Sequence, residues 1–390
     1  MLNNYDFFAY TVCMININDN TYKQRLEKLY DWMTAENIAI TLFEDSEEHR
    51  DPAVRWLSGM PGDALLLLTP TRQSILIPWD TNIAEAMAQA DTLIPYNEFG
   101  RQCTKALQKI AAFLKLPSGA KIEIPPVTPY PAFLEYVELL NGCDIICRHD
   151  GIHSTVVKAR AIKDASEIER YRKIAAITND IIDLLEQKIR AGKLNTEAKV
   201  ALFIESEARA RGCEGTGFGT LAAGPTRSFG IHAFPPYTAG PFATDGLSIL
   251  DFGLKYQGYT SDVTLTFVRG DLAPDQEPLV ILVQNAHDLA IKSLKPSVSA
   301  LSIGKIVEDY FWEYEKVMPH NLGHGIGLEA HEGPSLRNRA DNDWTLEPGM
   351  IFTIEPGLYD VKFGGCRLED DILMTESGAE VLTKARIIQL

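Results

Sequence analysis

Apolar side chains in the first 150 residues alternate between two spacings. From Tyr22 to Asn37 they recur every three or four positions, as Leu26, Leu29 and Met33 do, which predicts an amphipathic helix. Short, mostly apolar runs predict strands at 65–68, 74–77 and 122–124. Helical spacing returns at 83–90, 98–114 and 132–140. This alternation predicts an α/β domain of ordinary size.

The predicted elements become longer beyond a boundary near residues 150–165. We assign residues 1–155 to an N-terminal domain and residues 156–390 to a C-terminal domain. Asp164 or Ser166 is placed to cap a helix that ends near Arg190. Three further helices are predicted at 196–211, 275–294 and 302–314. Strands are predicted between the second and third of the four helices.

Composition and charge narrow the classes of partner. The chain has 390 residues, of which 45% are hydrophobic and 23% are charged, as in folded soluble proteins. It carries 53 acidic against 37 Lys and Arg residues, a net charge of −16. Nucleic acids and anionic membranes attract positive proteins, so we expect neither as a partner. A cationic partner, such as a metal ion, remains compatible with this charge.

The distribution of apolar and cysteine residues indicates a cytoplasmic protein. No apolar run approaches the ~18 residues of a membrane helix. The first basic residue is Lys23, so the N-terminus does not resemble a signal peptide. The six cysteines are scattered and form no CxxC pair, which favours reduced thiols.

Two aspartates fall in a predicted β-hairpin at 248–267. A four-residue turn at 255–258 places Asp251 directly opposite Asp262, with Cβ atoms about 4.5–5.5 Å apart. Like charges in this position repel each other. Either a cation lies between the two carboxylates, or they belong to a polar outer face of the hairpin.

Three of the eight histidines fall within twelve consecutive residues. They are His320, His324 and His331, and glycines at 323, 325 and 327 are interleaved with them. These glycines argue against a helix and indicate close approach of the backbone to another group. Each histidine alone is compatible with an ordinary core or surface position, but the cluster favours a shared site.

A second acidic pair follows near the C-terminus. Glu355 ends an apolar strand, and Glu369 shares one face of another strand with Arg367. An acidic surface run at 369–371 is the alternative interpretation of Glu369. Four carboxylates with at least one histidine fit Mn²⁺, Co²⁺ or Fe²⁺ better than a structural zinc. They are enough to hold two ions that share bridging carboxylates.

These residues resemble the pita-bread metallopeptidases, which comprise prolidase (Xaa-Pro dipeptidase), aminopeptidase P, methionine aminopeptidase and creatinase. The family's metal ligands follow the order Asp, Asp, His, Glu, Glu, which is matched by Asp251, Asp262, His324, Glu355 and Glu369. The resemblance implies a creatinase-type α/β N-terminal domain. It also implies a C-terminal pita-bread domain, whose curved antiparallel sheet has pseudo-twofold symmetry with the two acidic hairpins as its halves.

The resemblance implies a role for each metal ligand. Asp251 would bind one ion, and His324 and Glu355 would bind the other. Asp262 and Glu369 would bridge the two ions. A bridging hydroxide would attack the peptide bond, and Glu355 would carry the proton to the leaving amine.

Other residues are implied to handle the substrate. His232 and His331 would bind and polarise the scissile carbonyl. His320 and Arg367 would contact the proline side of the substrate. Tyr359 would lie beside the site and help to order these groups.

The implied function is hydrolysis of the Xaa-Pro bond in dipeptides or short peptides by a homodimer. Manganese or cobalt is the expected metal, with zinc and iron as alternatives. Two other functions stay open: an amidohydrolase of a small non-peptide metabolite, as in creatinase, and a non-enzymatic binding module of the same fold. Such relatives have lost metal ligands, whereas all five are present here, which disfavours both.

Overall fold

The chain divides into two units, Met1–Ala159 and Arg160–Leu390. The computed structural model describes residues 19–342 and 344–390. Cys13 and the first residues of the predicted N-terminal domain lie outside the described residues. The division falls inside the region 150–165 in which the sequence places a boundary.

The first unit is built on a six-stranded sheet. Its strands are β1 (Ile38–Asp45), β2 (Ala64–Leu68), β3 (Ser74–Pro78), β4 (Thr92–Leu93), β5 (Ala120–Glu123) and β6 (Cys143–Ile146). Its helices are α1 (Asn20–Glu36), α2 (Pro52–Ser58), α3 (Thr81–Met87), α4 (Cys103–Phe113) and α5 (Tyr130–Leu139), and α6 (Ile152–Ala161) ends in the second unit. The strand order β4-β3-β2-β1-β5-β6 mixes parallel and antiparallel pairs. The predicted α/β character is therefore confirmed.

One predicted helix of this unit is wrong in extent. The segment predicted as a helix at 98–114 contains a 3₁₀ turn, Tyr96–Phe99, followed by the separate helix α4. Gly100 lies between them with φ +59°, a left-handed conformation that ends the first turn. The apolar spacing continues across the break, which explains why the two elements look like one in the sequence.

The second unit carries four long helices and sixteen short strands among the described residues. The helices are α7 (Ala165–Arg190), α8 (Glu197–Ala210), α9 (Glu277–Ser293) and α10 (Ala300–Glu313). The strands are β7 (Gly215–Thr216), β8 (Leu221–Ala223), β9 (Gly246–Phe252), β10 (Leu254–Tyr256), β11 (Tyr259–Thr260), β12 (Val263–Arg269), β13 (Val298–Ser299), β14 (Gly323–Gly325), β15 (Glu332–Leu336), β16 (Thr345–Leu346), β17 (Ile351–Ile354), β18 (Gly357–Asp360), β19 (Gly364–Arg367), β20 (Asp370–Thr375), β21 (Gly378–Val381) and β22 (Ile387–Gln389).

The predicted helices of this unit are confirmed. Helix α7 begins with a capping box, in which the Asp164 side chain accepts the backbone N–H groups of Ser166 and Glu167. The Glu167 carboxylate accepts the Asp164 N–H in return at 2.9 Å. These bonds satisfy donors that have no partner within the helix.

An antiparallel strand pair lies inside each of the two larger sheets. Strands β9 and β12 belong to a sheet of order β22-β12-β9-β8, and β17 and β20 belong to one of order β15-β14-β17-β20-β21. A backbone bridge joins the two pairs: Thr264 N–H donates to Glu369 O at 3.4 Å, and Glu369 N–H donates to Thr264 O at 3.2 Å. The bridge brings the two acidic hairpins together.

The register of the first hairpin differs from the prediction. Tyr256 pairs with Tyr259 across a two-residue turn, Gln257 and Gly258, whose φ angles are +49° and +87°. This is the turn geometry that matches the twist of a tight hairpin. Asp251 therefore lies opposite Thr264 and not opposite Asp262. Because side chains alternate with a period of two, a shift of two positions keeps both aspartates on the same face.

Cys103, Cys143, Cys147, Cys213 and Cys366 are free thiols in the structure. Among residues 19–342 and 344–390, each helix is too short or too polar to cross a membrane.

Gly253, between β9 and β10, offers a test of the fold. A Cβ atom there would lie 1.9 Å from Ser261 O and 2.7 Å from the Phe218 ring. We expect Gly253→Ala to lower the free energy of unfolding by about 1–3 kcal/mol, because the backbone must move. Gly219→Ala is the control, since nothing lies within 4 Å of its added Cβ. Equal thermal unfolding midpoints for the two variants would contradict the close approach at Gly253.

Candidate active site

The predicted site residues surround one cavity in the second unit. It has a volume of about 740 Å³. Its walls include the four carboxylates and four histidines of the predicted site: Asp251, Asp262, Glu355, Glu369, His232, His320, His324 and His331. Arg367 also lines it, whereas Tyr359 lies behind the wall. The structure thus brings together residues that are more than a hundred positions apart in the chain.

Three of the four carboxylates lie where a strand is interrupted. Asp262 separates β11 from β12, Glu355 lies between β17 and β18, and Glu369 lies between β19 and β20. Across the second interruption, Leu368 N–H donates to Pro356 O at 3.3 Å. The register of the flanking pairs therefore places Glu355 opposite Glu369. The register is the same on both sides of each break, so the alternation of side chains along the strands extends to these three carboxylates.

Glycines allow β14 to hold His324 between two neighbouring strands. A Cβ atom at Gly323 would lie 2.0 Å from Thr353 O, and one at Gly325 would lie 1.9 Å from Gly333 O. A larger residue at either position would push the strands apart. The backbone approach that the glycine spacing predicts is therefore an approach to the protein's own neighbouring strands.

A cluster of three potential metal ligands is formed by Asp262, His324 and Glu369. One ligand atom from each lies within 4.8 Å of the others. His324 Nε2 is 3.8 Å from an oxygen of Asp262 and 3.4 Å from an oxygen of Glu355. His324 Nδ1 is 3.2 Å from Gly325 O, and since a carbonyl only accepts, this nitrogen carries the proton. The lone pair of Nε2 therefore faces the carboxylates, as a metal ligand requires.

Arg367 holds Asp251 from inside the fold. Its guanidinium donates to Asp251 Oδ2 at 2.6 Å, to Thr264 Oγ1 at 3.0 Å, to Ile231 O at 3.0 Å and to the Tyr359 hydroxyl at 2.8 Å. The side chain is almost completely buried. The other oxygen of Asp251, Oδ1, is buried with no hydrogen-bond partner among the described residues. An orphaned carboxylate oxygen at a cavity wall is a position that a cation can fill.

Burial dominates the electrostatics of this cluster. It raises the pKa of Glu355 to about 8 and that of Asp251 above its ordinary value. Burial, followed by the neighbouring carboxylates, raises the pKa of Asp262 and Glu369 well above the usual range. Burial also lowers the pKa of His324 to about 4, which keeps its ring neutral. Four buried carboxylates and a neutral imidazole fit divalent metal ions, which supply the missing positive charge.

The remaining histidines border the cluster. The rings of His331 and His324 have centroids 4.2 Å apart. His320 Nε2 is 3.1 Å from the Tyr359 hydroxyl, and burial lowers the pKa of His320 to about 4. Tyr359 therefore links His320 to Arg367 without lining the cavity itself. His232 lies across from these groups, on the segment before the exposed Phe234.

Two residues that support the cluster were not singled out in the sequence. Thr264 Oγ1 donates to Glu369 at 2.6 Å, and both oxygens of Asp371 accept the backbone N–H of Asp262, at 3.1 and 3.2 Å. Asp371 is fully buried, as are its neighbours in the run 369–371, so the alternative of an acidic surface run is wrong. Thr264 follows Asp262 by two positions, so the sequence could have placed the threonine on the same face of the strand as this carboxylate.

Fold and site together define a metallopeptidase. Residues 169–376 match metallopeptidase family M24, and the chain belongs to this family. The match covers every residue of the carboxylate and histidine cluster. The pita-bread fold and the enzyme class that the resemblance implied are thereby confirmed.

Relatives and solved structures extend the similarity to nearly the whole chain. The Xaa-Pro dipeptidase of Pyrococcus horikoshii is 29% identical over 368 residues, which are 93% of this chain and 97% of the relative. The X-Pro aminopeptidase of Thermotoga maritima superposes with a TM-score of 0.79 at 26% identity, covering 94% of this chain and 100% of the other. The Xaa-Pro dipeptidase of Bacillus anthracis gives a TM-score of 0.81 at 25% identity, covering 95% and 100%.

Thermal unfolding should respond to divalent metal through the carboxylate cluster. Binding to the folded state alone, at 100 times the Kd, stabilises a protein by about 2.7 kcal/mol. We therefore expect Mn²⁺ to raise the unfolding midpoint of chelator-treated protein. Asp262→Asn should raise the midpoint of the metal-free protein, because it removes a buried like charge, and should reduce the shift caused by Mn²⁺.

Glu380→Gln is the matched control for this experiment. Glu380 pairs with Arg172 at a side-chain exposure of 40% and lies outside the cluster. Its variant should keep the full Mn²⁺ shift. An Asp262→Asn variant that responded to Mn²⁺ as the wild type does would contradict a metal site at Asp262.

Proposed function

We propose that this metallopeptidase hydrolyses the Xaa-Pro bond of dipeptides and short peptides. The observation that carries the proposal is the cluster of four carboxylates and His324 around one cavity, in which Asp251, Asp262 and Glu369 are buried. Support for the substrate comes from relatives named Xaa-Pro dipeptidase and X-Pro aminopeptidase, which align with over nine-tenths of the chain.

Two divalent ions, manganese or cobalt, are proposed for the cluster. Asp251 would hold one ion, and His324 and Glu355 the other. Asp262 and Glu369 would hold both. When bound, the ions supply Lewis-acid stabilisation of negative charge and lower the pKa of a water molecule.

The residues around the metals divide the remaining work. The Glu355 carboxylate faces the cavity, where it can take a proton from the attacking water and give it to the leaving proline nitrogen. His331 and His232 line the same cavity, and each can donate an N–H to the carbonyl oxygen as its negative charge grows. These bonds strengthen in the transition state and so accelerate the reaction.

The cavity wall suits an apolar dipeptide. Its apolar lining includes Phe218, Leu221, Ile231 and Phe234. They offer apolar contacts to the side chain before the scissile bond and to the proline ring. Arg367 is proposed to act chiefly on Asp251, since its hydrogen bonds go to atoms of the protein. His320 and Tyr359 would order the proline side of the site.

A cytoplasmic homodimer is proposed for the whole chain. The assembly rests on the resemblance to two-domain members of the family. The compartment rests on the scattered cysteines. Light scattering on the purified protein should give twice the mass of one chain, and a monomer would contradict the dimer.

Hydrolysis of Xaa-Pro dipeptides by Mn²⁺- or Co²⁺-loaded protein tests the function. Asp262→Ala should lose both metal and activity, because it removes a ligand proposed to contact both ions. Asp288→Ala, which changes an exposed helix residue, should keep both. Elemental analysis and release of free proline are the measurements.

The choice of substrates separates the alternatives. The panel contains Xaa-Pro, Xaa-Pro-Yaa and Met-initiated peptides, with creatine and small amides for the amidohydrolase alternative. Release of proline from the first group supports the proposal. Turnover of creatine or small amides, without cleavage of any peptide, would favour the amidohydrolase alternative. A protein that contains no metal and gains no activity when metal is added would exclude the proposed function.

A further inference from the structure

A carboxylate directly after His331 is buried against two cations. Glu332 Oε1 lies 2.9 Å from the Lys163 ammonium, and Oε2 contacts the Arg160 guanidinium. The side chains of Glu332 and Lys163 are 5% and 1% exposed. Arg160 also lies 3.2 Å from Glu329. Three charged groups are therefore withdrawn from water beside the site, in addition to the carboxylate cluster.

Stability alone is a weak reason for such a network. Burying an ion carries a desolvation penalty of several kcal/mol, which an ion pair repays only with good geometry. Apolar side chains of similar volume often serve a fold equally well or better. The parts of the chain that the network holds in place are therefore the better guide to its role.

Glu332 is tied to both ends of the segment 325–331. It opens β15 and pairs with Gly325, the residue after His324, where the register between β14 and β15 is irregular. Gly327 packs directly on the carboxylate, since a Cβ atom there would lie 2.0 Å from Glu332 Oε1. At the other end of the segment, Glu332 follows His331 directly in the chain. The conformation of this segment therefore depends on where the Glu332 carboxylate is held.

The segment carries the His331 ring into the cavity. His331 and His324 approach with ring centroids 4.2 Å apart and an angle of 45° between the rings. Both rings line the cavity together with Glu355. A small rotation of the backbone at Glu332 would displace His331 from the position where a substrate carbonyl can reach it.

We propose that Glu332, clamped by Arg160 and Lys163, is a positioning residue that fixes His331 for the carbonyl of the substrate. This role rests on the proposed function, in which His331 polarises the scissile bond. Both oxygens of Glu332 contact the two cations, so the carboxylate acts through the backbone of its own segment. Arg160 and Lys163 belong to the beginning of the second unit and anchor the clamp there.

Glu332→Gln tests the clamp by removing its charge while keeping its shape. We expect kcat for an Xaa-Pro dipeptide to fall about 10–100-fold, as for other residues that orient an active group. KM should stay nearly constant, because the lost interaction belongs to the transition state. In a His331→Ala background, the same substitution should have little further effect. Independent, multiplicative losses would overturn the proposal.

Two further variants keep the result interpretable. Glu380→Gln removes an exposed carboxylate paired with Arg172 and should retain the wild-type kcat. Lys163→Met removes one cation of the clamp and leaves the Arg160 contact. This variant tests the clamp if Glu332→Gln does not fold. It should lower kcat in the same direction with KM unchanged. An unchanged kcat in folded Lys163→Met protein would overturn the role of the clamp.

Histidine side-chain NMR of the metal-free, full-length protein gives a readout that does not depend on activity. The His331 ring signal, assigned through His331→Ala, should shift in Glu332→Gln and stay in place in Glu380→Gln. Failure of the wild type to cleave Xaa-Pro peptides would remove the proposed function while the NMR shift still showed that Glu332 positions the ring. If the wild type cleaves Xaa-Pro peptides but the His331 signal does not move in Glu332→Gln, the clamp is overturned and the proposed function stands.

Discussion

Repulsion among four buried carboxylates is the constraint on which the second unit depends. Asp251, Asp262, Glu355 and Glu369 share one cavity wall, and each has a raised pKa because water is excluded from it. Arg367 provides a positive charge at this wall, where it pairs with Asp251. In the proposed metal site, divalent cations would balance the remaining charge, and the centre would be complete only with metal.

The sheets tolerate this centre because their two faces differ. Leu250 and Phe252 flank Asp251 along β9 and point to the opposite side, where they are fully buried in an apolar cluster. On the second hairpin, Phe352 and Ile372 pair with each other and are buried in a different apolar cluster. Apolar burial, at about 25 cal/mol per Å² on the apolar face of each sheet, offsets the unfavourable charges on the face that carries the carboxylates. Alternation along each strand thus separates the stabilising face from the reactive face.

Local patterns in the sequence reveal the elements and the candidate ligands, but not the contacts made over long distances. The helices from Ala165 onward follow from apolar spacing and caps. The strand Ile38–Asp45 is largely buried and lacks a regular apolar–polar alternation, so its sequence does not distinguish it from a buried helix segment. The hairpin register depended on Gln257, a residue other than glycine, adopting a positive φ. Asp371 and Glu332 act on partners 109 and 169 positions away, which no local pattern connects.

The bridge between Thr264 and Glu369 has a consequence for synthesis of the protein. The two residues are 105 positions apart. At ribosomal rates of about 5–20 residues per second, the first hairpin leaves the ribosome roughly 5–20 s before the second. During that interval Asp251 and Asp262 have emerged without Glu355 and Glu369, the other two carboxylates of the proposed metal site. The nascent chain therefore passes through a stage in which an acidic hairpin has emerged without its partner, and the proposed metal site can be completed only after Glu369, close to the C-terminus, has been translated.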